Sequence, residues 1–451
     1  MTDQANGRSI AWPMRVRLQA LGCRLNEAEL ETWARQFHKR GCIIAADTEP
    51  ADLLVINTCA VTQEAVRKSR KLLRRARRDN PRARLIVSGC AVAVSAEELG
   101  EAGIDLLVAN ADKDRLVEIA TRELSLPLMP ATATAPGAHT LFARGRQRAF
   151  IKIQDGCRHQ CTFCISTRAR GGERSRPVAD LCDEINALAD NGSTTDAMHQ
   201  PGIQEIVLTG VHIGGYGNDL GDNLTGLLSA ILRNTEVPRI RLGSLEPWEL
   251  PETFWRQFEN PRLMPHLHLP LQSGSDSVLR RMARRCKPAE FARLTDRARA
   301  ITPDFNITTD IMVGFPGETD HEWQCTLQMV ERIGFSHLHI FAFSPRTGTR
   351  AASMPEQIPN AIKRARSREL HSLGLRIKRK LLQGQTGRRS PILVEGLGSD
   401  QAGAFYAGFT PSYLPVRVRS TDPIGINSIL PVRLGQLTHD GEAINASADL
   451  S

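Results

Sequence analysis

No stretch of this 451-residue chain approaches the roughly 18 apolar residues that a membrane-spanning helix needs. The first residues, MTDQANGRSIAWPMRVRLQALGC, lack the uncharged apolar stretch and cleavage site of a secretory leader. Both absences point to a cytosolic protein without a membrane partner. In that reducing compartment the ten cysteines are expected to serve metal or redox chemistry rather than disulfides. Acidic residues are the scarcer charge, 49 against 58 basic, and the resulting net charge of +9 favours a polyanionic partner. A solvated basic surface is the plainer explanation of the same number.

One further thing is lacking. The stretch DGCRHQCTFC sets Cys157, Cys161 and Cys164 at the spacing C-x3-C-x2-C. A structural zinc site takes four protein ligands and an ordinary cubane cluster takes four thiolates. Three thiols on a four-iron cluster leave one iron open, and open coordination is how a metal site takes on substrate or cofactor. Zinc with a histidine as fourth ligand is the alternative, but His159 sits too close between the cysteines for normal pair spacing.

Up to about Pro127 the pattern alternates strand and helix. Val16, Leu18 and Ala20 alternate with Arg15, Arg17 and Gln19, the mark of a strand buried on one face. ADLLVINTC and ARLIVSGC are continuous apolar runs, as in strands buried on both faces, and GIDLLVAN reads as another. Helical patterns cover Glu27–Lys39 and Glu64–Arg78. The expectation is a doubly wound parallel sheet. Three of its strands end on cysteines, Cys23, Cys59 and Cys90, which places three thiols on the rim where such sheets bind ligands. Ser125–Thr140, rich in Pro, Ala and Thr, reads as a linker.

From about Thr140 to Arg376 six further strand–helix units suggest an incomplete parallel barrel, with helices over Asp276–Ala300 and Glu318–Ile333 among them. The cysteine motif follows its first strand. Strand ends at Thr209, Gly210, Glu246, Gln272, Gly314 and Gly317 fall on the face where barrel chemistry occurs. From about Gly384, short strand patterns between turn residues suggest a small all-β module. The division is 14–127, 140–376 and 384–447. Cys42 starts an apolar run, Cys182 and Cys325 lie in helical patterns and Cys286 in a basic one; each reads as structural or incidental rather than as a ligand. Val66–Arg78 is an amphipathic helix with Arg67, Arg70, Lys71, Arg74, Arg75 and Arg78 on one face, placed to follow nucleic-acid phosphates or simply solvated. Arg417 and Arg419 alternate on a strand beside Tyr413, a weaker surface of the same kind, and Lys363 to Lys380 is a basic run that reads as a connecting helix.

The motif C-x3-C-x2-C after a first barrel strand resembles the radical S-adenosylmethionine (SAM) superfamily, in which SAM occupies the open iron. LGCRLNEAELE, INTCAVTQEAVRKSRK, VSGCAV, HLHLPLQSGSDSVLRRM, TDIMVGFPGET and FSPRTGTRAA, in that order, resemble the radical SAM methylthiotransferases. NTCAVT followed by RKSRK resembles the branch acting on threonylcarbamoyladenosine in tRNA. The terminal module is similar to the RNA-binding TRAM domain.

This resemblance implies two four-iron clusters, one on Cys157, Cys161 and Cys164 and an auxiliary one on Cys23, Cys59 and Cys90. It implies SAM as radical source and methyl donor, with Thr209, Gly210, Glu246, Gln272, Gly314 and Gly317 approaching SAM or substrate. The implied reaction replaces C–H by C–S–CH3 at carbon 2 of an adenosine beside the anticodon. A radical route suits that carbon, which has no useful acidity. The implied partners are a tRNA anticodon stem-loop, an electron donor such as a flavodoxin or ferredoxin, and a sulfur source. Sister branches act on isopentenyladenosine in tRNA or on an aspartate of a small-subunit ribosomal protein. A non-catalytic, metal-stabilised RNA-binding protein is the alternative of another class. Two departures from the family pattern stand out: ISTR replaces an Ile-Ile-Pro-like stretch after Cys164, and residues 193–204 form an insertion.

Overall fold

A computed structural model describes residues 13–99, 103–127, 147–189 and 202–449. The chain divides into two units, Met1–His159 with Cys164–Arg174, and Gln160–Phe163 with Ser175–Ser451. Only Ser125–Pro127 of the expected linker and residues 202–204 of the expected insertion are among the described residues.

The first unit runs β1 (Arg15–Ala20), α1 (Arg24–His38), β2 (Ile43–Ile44), β3 (Leu53–Thr58), α2 (Gln63–Asp79), β4 (Arg84–Gly89), α3 (Cys90–Leu99), β5 (Leu106–Val108) and α4 (Leu116–Glu123), followed by β6 (Ala149–Lys152), β7 (Gln154–Asp155) and α5 (Ser166–Arg170). Its sheet is parallel, in the order β2-β1-β3-β4-β5. The apolar runs of β3 and β4 are buried along their whole length, as a sheet covered on both faces requires. Leu30, Trp33 and Phe37 of α1 pack with Leu116 and Val117 of α4 on one face. Val66, Leu73 and Ala76 of α2 cover the other. The doubly wound sheet is therefore present. β1 departs from strict alternation: Arg17 is buried too, because its guanidinium reaches the Glu49 carbonyl and Asn80.

The short β8 (Arg174–Ser175) leads into the second unit. There α6 (Val178–Ala189), β9 (Glu205–Thr209), α7 (Leu224–Asn234), β10 (Arg239–Leu242), α8 (Glu252–Trp255), β11 (His266–His268), α9 (Asp276–Arg281), α10 (Pro288–Ile301), β12 (Asn306–Val313), α11 (Asp320–Ile333) and β13 (His337–Ala342) follow. β9 pairs with β10, and β11, β12 and β13 pair in turn, all parallel. A bridge between Ser244 and His268 joins the two sets. The result is an open curved wall of parallel strands, the barrel architecture read from the sequence.

The single helix expected over Asp276–Ala300 is two, α9 and α10. Pro288 has no amide proton and keeps Lys287 extended, and Ala283 adopts φ +56°. The break at residues 282–287 turns Arg284 into the protein interior, where it is 8% exposed.

The connecting helix α12 (Asn360–Gln383) packs on β13. Two of its cations are structural: Lys363 donates to the Phe343 carbonyl, and Arg366 pairs with Glu318 and Asp320. The strands β14 (Arg389–Asp400), β15 (Gly403–Phe409), β16 (Pro415–Val418), β17 (Ile429–Leu437) and β18 (Ile444–Ala448) close a barrel in the order β14-β15-β16-β18-β17. β18 lies outside the strand patterns SPILVEGL, AFYAGFTPSYLPVRVRS and NSILPVRLGQ that the sequence shows; it closes the barrel by pairing with both β16 and β17. Arg239 and Arg241 of β10 fix the module by donating to the carbonyls of Pro391, Phe409, Thr410 and Pro411.

Candidate functional site

Cys23, Cys59 and Cys90 follow the neighbouring parallel strands β1, β3 and β4, so they share the carboxyl-end rim of the first unit's sheet. The approach is close enough to exclude side chains. Gly22 has φ +103°, and a Cβ there would lie 2.6 Å from the Cys59 sulfur. Burial pushes the Cys59 thiol up to about 11, and Cys23 and Cys90 push it the same way. Cys23 is accessible to solvent, yet the protein packed around it raises its thiol as well, with Arg170 opposing. Crowded thiols that resist ionising need a cation to become thiolates, and a metal centre supplies one. The donor set therefore fits an iron–sulfur cluster.

The second triplet is held by a loop with a glycine at its base. Gly156 has φ +76°, and a Cβ there would lie 1.8 Å from the Gly172 carbonyl oxygen. Cys157 donates its amide to the Gly171 carbonyl. The amide of His159 lies 3.4 Å from the Cys157 sulfur, and that of Ser166 lies 3.4 Å from the Cys164 sulfur. Within the second unit, the Arg284 guanidinium lies 3.9 Å from the Cys161 sulfur. Each sulfur thus faces one N–H donor, an arrangement that stabilises thiolate ligands. The replacement of the family's proline leaves this loop closed: Thr167, in the first turn of α5, donates its hydroxyl to the His159 carbonyl at 2.9 Å. The donor set fits a cluster here as well.

Comparison with known proteins agrees with this geometry. Residues 15–109 match the model described as "Uncharacterized protein family UPF0004", and residues 151–330 match that of the radical SAM superfamily. The protein named threonylcarbamoyladenosine tRNA methylthiotransferase MtaB from Thermotoga maritima is 35% identical over 393 residues, covering 84% of this chain and 86% of that one. Its namesake from Bacillus subtilis is 33% identical, covering 96% and 97%. A tRNA-2-methylthio-N(6)-dimethylallyladenosine synthase from Akkermansia muciniphila is 31% identical, covering 93% and 96%. The chain belongs to the MtaB-like radical SAM methylthiotransferases.

This methylthiotransferase is therefore an enzyme that uses SAM and iron–sulfur clusters. Its strand-end residues differ in what holds them. Glu246 is gripped by Arg284 at 2.6 and 2.8 Å. Gln272 adopts φ +70° where the chain bridges to β12, and its side-chain oxygen is buried without a hydrogen-bond partner among the described residues. A bound ligand would complete such an orphaned acceptor. Thr209 is buried at the end of β9, and Gly210 is half-buried beside it. Gly314 and Gly317 have packing reasons of their own: a Cβ on Gly314 would meet Lys363, and the Gly317 amide donates to the Glu356 carbonyl.

The basic helix lies next to the first triplet. The Cys59 amide and carbonyl both bond the Ser69 hydroxyl, and the Thr62 side chain caps α2. Arg67, Arg70, Lys71, Arg74, Arg75 and Arg78 line one groove of about 440 Å³. Arg75 and Arg78 share Asp79. On the β-module, Arg417 and Arg419 flank the Phe405 ring and pair with Asp400, with Arg417 also on Asp440. Their charge is answered locally by these carboxylates. Sequence reasoning does not single out Arg284, which lies 3.9 Å from the Cys161 sulfur, or Arg170, which reaches toward Cys23 through the Asn26 side chain. No helix among the described residues is long and apolar enough to cross a membrane.

Proposed function

We propose that this enzyme methylthiolates carbon 2 of N6-threonylcarbamoyladenosine beside the anticodon of tRNA. The observation that carries the reading is the match, over nearly the whole chain, to proteins named for that activity, with both cysteine triplets present. Cys157, Cys161 and Cys164 would hold the radical cluster, and Cys23, Cys59 and Cys90 the auxiliary one. When bound, these clusters and SAM supply the 5′-deoxyadenosyl radical and the methylthio group. The amides of His159 and Ser166, with Arg284, orient the sulfurs of Cys157, Cys164 and Cys161 and moderate their charge. Gln272 offers its unpaired oxygen to SAM or the nucleoside. Thr209, Gly210 and Glu246 shape the same strand-end rim.

In this reading α2 tracks phosphates of the anticodon stem-loop, and the β-module adds a second RNA surface. The three-domain division 14–127, 140–376 and 384–447 is retained, with a cytoplasmic location. A flavodoxin or ferredoxin would deliver electrons, and a separate donor would supply sulfur.

The test is nucleoside mass spectrometry of tRNA from cells lacking this protein, complemented with wild type or Cys157→Ala. Methylthio-threonylcarbamoyladenosine should vanish and return only with wild type. Its persistence alongside loss of the isopentenyl analogue would move the substrate to the sister branch.

A further inference from the structure

Five charged side chains are buried together in the first unit, beside Cys23, Cys59 and Cys90. Glu29 of α1 meets Lys113 at 2.6 Å and Arg170 at 2.9 Å. Arg170 also meets Asp155 at 2.9 Å, and Asp155 meets Lys152 at 2.9 Å. None of the five side chains is more than 9% exposed. Burying so many charges costs several kcal/mol per ion before pairing offsets it, so the network is an expensive way to fill a core.

Its count is unequal. Lys113, Lys152 and Arg170 carry three positive charges against two on Glu29 and Asp155. Asp114 also reaches Lys152, but it is 78% exposed and screened by solvent. By formal charge the buried set holds one cation more than carboxylates; burial lowers the pKa of Lys113, and Arg170 is the cation that reaches toward Cys23. The guanidinium donates to the Asn26 side-chain oxygen at 2.8 Å, and that oxygen lies 3.8 Å from the Cys23 sulfur. Burial opposes the charge of Arg170, but Glu29, Cys90, Asp155 and Cys23 outweigh it and hold the pKa well above its usual value. A four-iron core of charge 2+ on three thiolates carries one net negative charge. The Arg170 guanidinium is opposite to it in sign.

We propose that Arg170 is a positioning residue that balances the charge of the Cys23–Cys59–Cys90 site and thereby raises the reduction potential of the cluster bound there. The inference rests on the auxiliary-cluster reading above. It assigns this network a purpose that packing alone does not. Arg170 lies six positions after Cys164, and Asp155 two before Cys157. The same ion pair therefore closes the base of the second cysteine loop, and one guanidinium serves both triplets.

The experiment uses the full chain carrying Cys157→Ala, Cys161→Ala and Cys164→Ala, reconstituted with iron and sulfide. Iron content and an EPR-monitored redox titration are measured. About four irons per chain are expected; their absence would overturn the auxiliary-cluster reading and this proposal with it. In that background Arg170→Gln should shift the midpoint potential downward, and Arg170→Lys should stay near the parent. Glu29→Gln removes a negative charge from the same network and should shift it upward. A loaded Arg170→Gln chain with the parent's midpoint overturns the role of Arg170. Should Arg170→Gln not load, Glu29→Gln decides: a midpoint unmoved or moved downward overturns the proposal. Opposite shifts in the two variants are a signature that loosened packing would not produce.

Discussion

Arg284 lies 3.9 Å from the Cys161 sulfur while its guanidinium holds Glu246 and the Pro270 carbonyl and stacks 4.5 Å over Trp248. Those interactions explain why a buried arginine stands where α9 and α10 separate. Burial opposes its charge, and Glu246 and Cys161 more than restore it. In the proposed reading Arg284 orients a ligand of the radical cluster from outside the ligand set, and such partners are typically worth about 10- to 100-fold in metal affinity or activity. Arg284→Lys keeps the charge but loses the planar fork. Reductive SAM cleavage should fall by about that factor, with circular dichroism unchanged. An undiminished cleavage rate would leave Arg284 a packing residue.

Gly22 gives a way to test the proposed auxiliary cluster site without touching a cysteine. The left-handed φ and the 2.6 Å approach to the Cys59 sulfur leave no room for a methyl group. Gly22→Ala should therefore displace Cys59 and lower iron from about eight to about four per chain. SAM cleavage should survive, and methylthiolation of tRNA should be lost. Iron analysis with a single-turnover cleavage assay checks both halves.

The cysteine triplets were legible because their signals are local: a spacing inside ten residues, and thiols at the ends of three apolar runs. The parallel layers followed from the same runs. What sets the chemistry around them was not legible. Arg170 meets Glu29 across 141 positions, Lys113 meets Glu29 across 84, and Arg284 meets Cys161 across 123. No periodicity carries an interaction over such distances. β18 escaped for another reason: INASA is short, small and half polar, and only closure of the barrel makes it a strand. The split of α9 from α10 was readable at Pro288, since a proline inside a helical pattern marks a boundary.

The buried network also predicts an acid limit. The carboxyls of Glu29 and Asp155 are held below their usual range: burial opposes this, but Lys113, Arg170 and Lys152 prevail at Glu29, and Arg170 and Lys152 at Asp155. A depressed folded-state pKa adds stability that is complete above the unfolded value, 4.5 for Glu29 and 3.8 for Asp155, and is lost as pH falls below it. The melting temperature of the metal-free protein should hold through neutral pH and drop below about pH 4.5. Glu29→Gln should start lower at neutral pH and show a shallower acid decline. A parallel decline in both proteins would place the acid-sensitive pairs elsewhere.

The α2 groove makes a prediction about RNA that is independent of iron. Five of its six cations are exposed and Arg70 is half-buried, on a helix whose first turns are bonded to the Cys59 loop, so phosphates bound there would pass beside the proposed auxiliary site. Arg75 and Arg78 are partly answered by Asp79. Arg67, Lys71 and Arg74 are the exposed positions whose reversal tests the groove most directly. Arg67→Glu, Lys71→Glu and Arg74→Glu together should weaken tRNA binding and reduce the salt slope by about one for each phosphate no longer engaged. SAM cleavage without tRNA should be untouched, because these side chains belong to no cysteine site. Reversal of Arg417 and Arg419 should cost less, since Asp400 and Asp440 already hold them. Filter binding of an anticodon stem-loop across a salt series compares the two surfaces, and equal losses from both would give the β-module a share in docking equal to that of α2.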